Sequence, residues 1–226
     1  MVTIATKIYE GQLVDNKPHG KGMVSCADGS TYDGYWGKVR GKGYANDIKY
    51  EGDMVVLPHG KGILMFADGS KYEGDFENGK THGKGIMMFA DGRKYEGDFE
   101  NGKKHGKGIM MFADGDFGRK YEGDFENDMK HGRGIMMFAN GSKYDGDWVD
   151  SLPHGKGIMM FANGSKYEGD FENGKLHGRG IHYYADGKTH DGDWVDGLPH
   201  GKGTFTFAEG GKYEVHSENG KILEIV

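Results

Sequence analysis

Histidine is the residue in this chain best suited to chemistry. It recurs at His19, His59, His82, His105, His131, His154, His177 and His200, each time inside His-Gly-Lys-Gly or His-Gly-Arg-Gly. A series of imidazoles suggests a metal, because zinc takes nitrogen ligands at ~2.0–2.1 Å. The spacing opposes that reading. Most of these histidines are 23 residues apart. If 23 residues make two strands, equivalent atoms lie about 9–10 Å apart. Such rings cannot share one ion without ligands from elsewhere, so no metal is expected. Each ring should instead pack on an aromatic side chain or donate to a turn carbonyl.

Other chemistry is equally hard to find. A glycine loop that cradles phosphate needs backbone amides converging at a helix N-terminus. The glycines of His-Gly-Lys-Gly precede apolar runs such as Ile86-Met87-Met88-Phe89, which read as strand. Carboxylates come in pairs, Glu73 with Asp75 and Glu96 with Asp98, and the pairs repeat almost unchanged. Acid–base catalysis needs two groups in environments that separate their pKa values. A repeated, solvated pair has one environment. No Ser-His-Asp or Cys-His arrangement stands out. The chain reads as non-enzymatic and free of cofactors.

Those residues sit in a repeat. An aromatic-acid-glycine triplet opens at Tyr9, Tyr32, Tyr50, Tyr72, Tyr95, Tyr121, Tyr144, Tyr167 and His190, and an incomplete one at Tyr213 has Val215 for glycine. Fixed-period self-similarity marks a repeat architecture. Within Tyr72-Glu-Gly-Asp-Phe76, aromatic or glycine alternates with acid, the period of a strand. Asn78-Gly79 then signals a tight hairpin turn, since type I′ turns need positive φ at both central residues. A second strand follows from about Gly83 to Phe89, and Asp91-Gly92 turns into the next block. Frequent glycine opposes helix. The expected fold is all-β: an elongated, single-layered antiparallel sheet of consecutive β-hairpins, about 19–20 strands. A lead-in covers residues 1–8, nine repeats cover 9–212, and a partial repeat or cap covers 213–226.

Parity assigns faces. Tyr72, Gly74 and Phe76 point one way and should pair with Gly83, Gly85, Met87 and Phe89. A ring can then lie across the hole that glycine leaves in the pleat. The opposite face carries acids beside bases, so opposite charges should meet across strands. A lone bulge would reverse the pairing of faces. One layer cannot bury both of its faces. One of two methionine rows, Met87, Met110, Met136 and Met159 or Met88, Met111, Met137 and Met160, should therefore stay partly exposed. Exposed apolar surface of that extent marks an interaction site, and methionine suits an adaptable one. The candidate partner-binding residues are Tyr72, Phe76, Met87, Phe89, Tyr95, Phe99, Met110 and Phe112, continuing through Tyr121, Phe125, Met136, Phe138, Tyr144, Trp148, Met159 and Phe161. The expected occupant is a partner helix or an extended peptide.

These motifs, Tyr-Glu-Gly-Asp-Phe followed by a turn and His-Gly-Lys-Gly, resemble the MORN (membrane occupation and recognition nexus) repeat. The resemblance covers nearly the whole chain and implies an elongated sheet of hairpins. It also implies scaffolding at cytoskeleton, cilia or membrane junctions, with protein partners supported at least as well as lipid. The activity of relatives that carry an attached enzyme domain is not expected to carry over to these repeats. Three features depart from the pattern. The block from Tyr32 to Lys49 is short and has Arg40 in place of histidine, so a kink or bulge is expected near 40–49. Asp116-Phe117-Gly118 is an insertion, read as a loop with Phe117 as the alternative contact. The terminal Ile222-Leu-Glu-Ile-Val226 is apolar, a cap or else a homodimerising sheet edge.

Composition sets outer bounds. Net charge is −6 and the pI about 6.0, which opposes nonspecific nucleic-acid binding. The single Cys26 cannot close an intramolecular disulfide. No apolar run approaches the ~18 residues of a membrane-spanning helix. Residues 1–8 are too short for a secretion signal and lack the second-position glycine that myristoylation needs. The expectation is a cytoplasmic protein, with cytoskeletal or membrane association as a refinement. The alternatives are a homodimeric structural spacer and, more weakly supported, a peripheral membrane or phosphoinositide binder using Lys61, Lys84, Lys107, Arg133, Lys156, Arg179 and Lys202. Interleaved acids blunt the field of that row.

Overall fold

Tight turns set the architecture. In the computed structural model, Asn78 and Gly79 take φ of 51° and 77°, and Asn101-Gly102 and Asn173-Gly174 repeat this geometry. These are the two left-handed residues a type I′ hairpin requires. The structure describes residues 2–4, 7–45, 48–113 and 119–225, with side chains described over 8–37, 57–113 and 119–225. The inserted Asp116-Phe117-Gly118 lies outside the described residues.

The chain divides into two compact units, Met1–Ala113 and Asp114–Val226. The first holds β1 (Val2–Ile4), β2 (Lys7–Val14), β3 (Lys17–Ser25), β4 (Thr31–Ala45), β5 (Ile48–Met65), β6 (Lys71–Glu77), β7 (Lys80–Met88), β8 (Lys94–Glu100) and β9 (Lys103–Met111). The second holds β10 (Lys120–Glu126), β11 (Met129–Met137), β12 (Lys143–Val149), β13 (Leu152–Met160), β14 (Lys166–Glu172), β15 (Lys175–Tyr183), β16 (Thr189–Val195), β17 (Leu198–Thr206), β18 (Lys212–Glu218) and β19 (Lys221–Ile225). Within each unit, strands pair antiparallel in sequence order, and no helix occurs among the described residues. The expected all-β sheet of consecutive hairpins is what forms.

The expected repeat boundaries differ in one place. Tyr32 pairs with Leu64 and Gly34 with Gly62, while Tyr50 pairs with Gly43 inside the same hairpin. Tyr50 therefore opens no hairpin of its own. The segment around Arg40 lacks a turn signal, so β4 and β5 run on to 15 and 18 residues. The expected irregularity is present as a register shift between Val39 and Gly41. At the other end of that unit the lead-in is used as β1, which pairs Val2 with Tyr9.

Every regular hairpin carries a bulge that preserves the faces. Gly74 pairs with Gly85, yet the next residue, Asp75, pairs with His82. Gly83 and Lys84 are the extra residues, and Gly83 has φ of 56°. One extra residue would invert parity beyond the bulge; two restore it. Tyr72, Gly74 and Phe76 thus share a face with Gly85 and Met87, as parity requires.

The core lies on that face and is one ring thick. Tyr72 folds down over Gly74 and Gly85, and its hydroxyl donates to the Asp75 carbonyl at 2.8 Å. A Cβ on Gly85 would fall 2.5 Å from a Tyr72 ring carbon. Phe76 then stands edge-on to Tyr72 at 5.1 Å and to Tyr32 at 5.0 Å. In the second unit the chain of edge-to-face contacts runs Phe125, Tyr121, Trp148, Tyr144, Phe171, Tyr167, Trp194, His190. Each such contact is worth roughly 0.5–1.5 kcal/mol beyond burial. Hairpins are also joined through their turns. The amides of Ser151, Gly174 and Gly197 donate to the carbonyls of Lys130, Pro153 and Leu176, each at 2.9 Å.

Candidate functional site

The aromatic ladder changes which residues can meet a partner. Tyr72, Phe76, Tyr95, Phe99, Met110, Tyr121, Phe125, Met136, Tyr144 and Trp148 are all buried. They were expected to line an open groove and instead form the core. The reason is local: glycine lets each tyrosine lie flat, and the next repeat's phenylalanine or tryptophan seals it. Met87, Phe89, Phe112, Phe138, Met159 and Phe161 remain half-buried on the same face. The exposed methionine row is the opposite one, where Met88, Met111, Met137 and Met160 alternate with lysines across the strands.

A concave feature on the aromatic face is a groove of about 490 Å³ in the second unit. Its floor is Phe171 and Trp194, placed by β14 and β16. One wall is Leu176 and Pro199, each just after a hairpin turn. The other wall is Met159, Phe161, His182 and Tyr184. Lys175 closes one end and pairs with Asp196 at 3.0 Å. One repeat that lines it departs from the majority pattern. Where four others read Ile-Met-Met-Phe, this one reads Ile181-His182-Tyr183-Tyr184. The His182 ring lies 4.3 Å from Tyr184, 5.7 Å from Phe161 and 5.8 Å from Trp194. Its Nδ1 is buried with no hydrogen-bond partner among the described residues. Burial, aided by the His190 charge, lowers its pKa. Burial, then the Asp186 charge, raises that of the Tyr184 phenol. Leu176, His182, Tyr184, Trp194 and Pro199 were absent from the sequence-derived candidates. The broken motif at 181–184 was the signal that could have found them.

A second feature lies on the same face. Lys130, just after its hairpin turn, holds its Nζ 4.3 Å from the Trp148 ring centroid and 5.5 Å from that of Tyr121. Burial, with the Arg119 charge nearby, lowers the Lys130 pKa to about 8. No carboxylate pairs with this ammonium among the described residues.

The basic row considered for lipid is on the other face and is largely engaged. Lys61 pairs with Asp75 at 2.7 Å, Lys84 with Asp98 at 2.6 Å and Lys156 with Asp170 at 2.6 Å. Arg133 meets Asp147 at 3.3 Å and Arg179 meets Asp191 at 2.9 Å. The Lys107 amide donates to Asp98 at 3.1 Å. Lys202 faces His216 where earlier repeats place aspartate. Opposite charges do meet across strands as expected. In His82, His105, His131 and His177 each Nε2 lies 3.2–3.5 Å from the glutamate that ends the preceding strand.

A family model for the MORN repeat matches residues 9–31, 57–71, 72–92, 95–117, 121–143, 144–166, 167–189 and 190–212. No curated protein matches the chain significantly. Among solved structures, the SAS-4 (dCPAP) TCP domain of Drosophila melanogaster, in complex with a proline-rich motif of Ana2 (dSTIL), is similar. It shows 14% identity and a TM-score of 0.43, over 70% of this chain and 84% of that one. The TCP10 domain of Danio rerio CPAP, in complex with a peptide of Danio rerio STIL, shows 13% identity and a TM-score of 0.38, over 97% and 98%.

Proposed function

The chain belongs to the MORN repeat family, and we propose that it is a non-enzymatic scaffold that docks a segment of a protein partner on its aromatic face. The observation that carries this reading is the groove between Leu176 and His182. It is apolar, floored by rings held rigid in the ladder, and open along the face. Recognition of an extended or helical segment needs such preformed apolar relief. The carboxylates that catalysis would need sit on the opposite, solvated face and repeat from hairpin to hairpin, which supports a binding role.

Affinity purification with mass spectrometry, comparing wild type with a Leu176→Asp/Phe161→Ser variant, tests the reading. Both positions border the groove, and neither is part of the ring ladder. Partners should be lost from the variant while its far-UV spectrum stays β. Full retention of every partner by the folded variant removes the groove from the function. A second reading, homodimerisation through a sheet edge, draws on β19, where Ile222, Leu223 and Ile225 are all more than half exposed. Light scattering on a Leu223→Lys variant decides it: an unchanged mass excludes that edge.

A further inference from the structure

The position just after each hairpin turn on the aromatic face is occupied by Lys130, Pro153, Leu176 and Pro199 in successive repeats of the second unit. Register places them opposite Phe125, Trp148, Phe171 and Trp194. Three of the four are apolar and one is a cation. Lys130 differs from the basic residues of the other face, whose charged groups meet aspartates at 2.6–3.3 Å. It is half-buried over two rings, and Arg119 adds a second positive charge near it. Strand carboxylates cannot reach this face, because Glu122, Asp124, Asp145, Asp147, Glu168 and Asp170 all have the opposite parity to the tyrosines. A partly desolvated cation is costly until an anion meets it, and charge-assisted contacts in such surroundings are among the stronger polar ones.

Geometry fixes the spacing of what fits. Equivalent atoms in neighbouring repeats are two strands apart, about 9–10 Å. Lys130 and Leu176 are two repeats apart, so roughly 19–20 Å separates them. An extended chain rises ~3.3 Å per residue and spans that distance in about six residues.

Resting on the docking function proposed above, we propose that the occupant is an extended acidic-apolar peptide segment of the partner. An Asp or Glu carboxylate lies against Lys130, and an apolar side chain about six residues away fills the groove beside Leu176. The apolar anchor supplies burial, and the carboxylate supplies register along an otherwise repetitive face.

The test uses a library of random twelve-residue peptides displayed on phage and selected on the full chain. Selected peptides should carry an acid about six residues from an apolar anchor. The best synthetic peptide should lose about tenfold or more in affinity when its acid becomes the matching amide, measured on the unmodified chain. Lys130→Gln should cause a similar loss, and Lys130→Arg should bind within about twofold of wild type. Leu176→Asp should abolish binding. If peptides are selected and depend on Leu176, yet acid and amide versions bind alike, the acidic subsite is wrong and the groove stands. If nothing is selected, or Leu176→Asp binds every selected peptide as wild type does, the groove and the subsite fall together. The amide comparison uses the unmodified chain, so it decides the acidic subsite even if a variant fails to fold.

Discussion

A Cβ placed on Gly157 would sit 2.5 Å from the hydroxyl oxygen of Tyr144. That oxygen cannot retreat, because it donates to the Asp147 carbonyl at 2.9 Å and the ring is wedged between Trp148 and Phe171. Gly157 has an ordinary strand conformation, so its glycine is demanded by space rather than by φ. Gly157→Ala should destabilise by about 1–3 kcal/mol, the usual cost of overpacking. Urea denaturation with an unchanged slope checks it. Gly164 lies in an inter-hairpin turn with nothing within 4 Å of its Cβ position but has φ of 88°, so its alanine variant probes backbone strain instead.

Much of this was legible in the sequence because the signals are local. Asn-Gly turns, alternating Tyr-Glu-Gly-Asp-Phe and the recurring period give strand, hairpin and sheet order directly. The paired faces were legible too, and they survive the bulge only because it holds two residues. The exposed surface was not legible. Whether Tyr72 and Phe76 face solvent depends on the tyrosine lying across two glycines of different strands, a contact set by three-dimensional register. The groove was missed for a related reason. Repetition drew weight to Ile-Met-Met-Phe, and the informative residues were the exceptions, His182 and Tyr184. Tyr50 misled because its triplet is intact while the turn needed to use it is missing.

The buried phenols predict alkaline sensitivity. Burial first, then the charge of Asp75, Asp124, Asp147 or Asp170, raises the pKa of Tyr72, Tyr121, Tyr144 and Tyr167 above its ordinary value. A folded-state pKa above the unfolded one contributes stability in full below the unfolded pKa, about 10 for tyrosine. That stability is lost as pH rises further. Unfolding followed by tyrosinate absorbance should therefore be cooperative and begin above pH ~10. Free-solution titration of these phenols while the sheet persists contradicts the cradle. Tyr144→Phe removes one hydroxyl bond and should cost about 0.5–1.5 kcal/mol at neutral pH.

The charged face should contribute little to stability. Lys84 and Lys156 reach their aspartates at 2.6 Å, but about seven-tenths of each lysine side chain is exposed. Exposed pairs typically contribute ~0–1 kcal/mol and weaken with salt. A Lys84→Ala/Lys156→Ala variant should melt within a few degrees of wild type and bind selected peptides unchanged. Flotation with anionic liposomes at low and physiological salt tests the same row as a lipid site. Recovery that the double variant abolishes would return lipid to consideration.

Acid should loosen the second unit through His182 and His190. Burial is the leading cause lowering both pKa values. The His190 charge adds to the effect at His182; at His190, Asp191 opposes it and Arg179 assists. A depressed folded-state pKa gives stability that is present above the unfolded value, near 6.5 for histidine, and lost as pH falls below it. Two substitutions restore the majority pattern. His182→Met supplies the residue found at Met87, Met110, Met136 and Met159, and His190→Tyr supplies the aromatic that opens most other repeats. His182→Met also removes a buried, unpaired Nδ1 and should stabilise by about 1 kcal/mol at neutral pH. The informative quantity is the difference between the two proteins. Between pH 8 and pH 5 the wild type should lose more stability than the double variant. Equal losses would mean that neither ring feels its burial. If His182→Met also weakens peptide binding while raising the melting temperature, His182 is kept for recognition at the expense of stability.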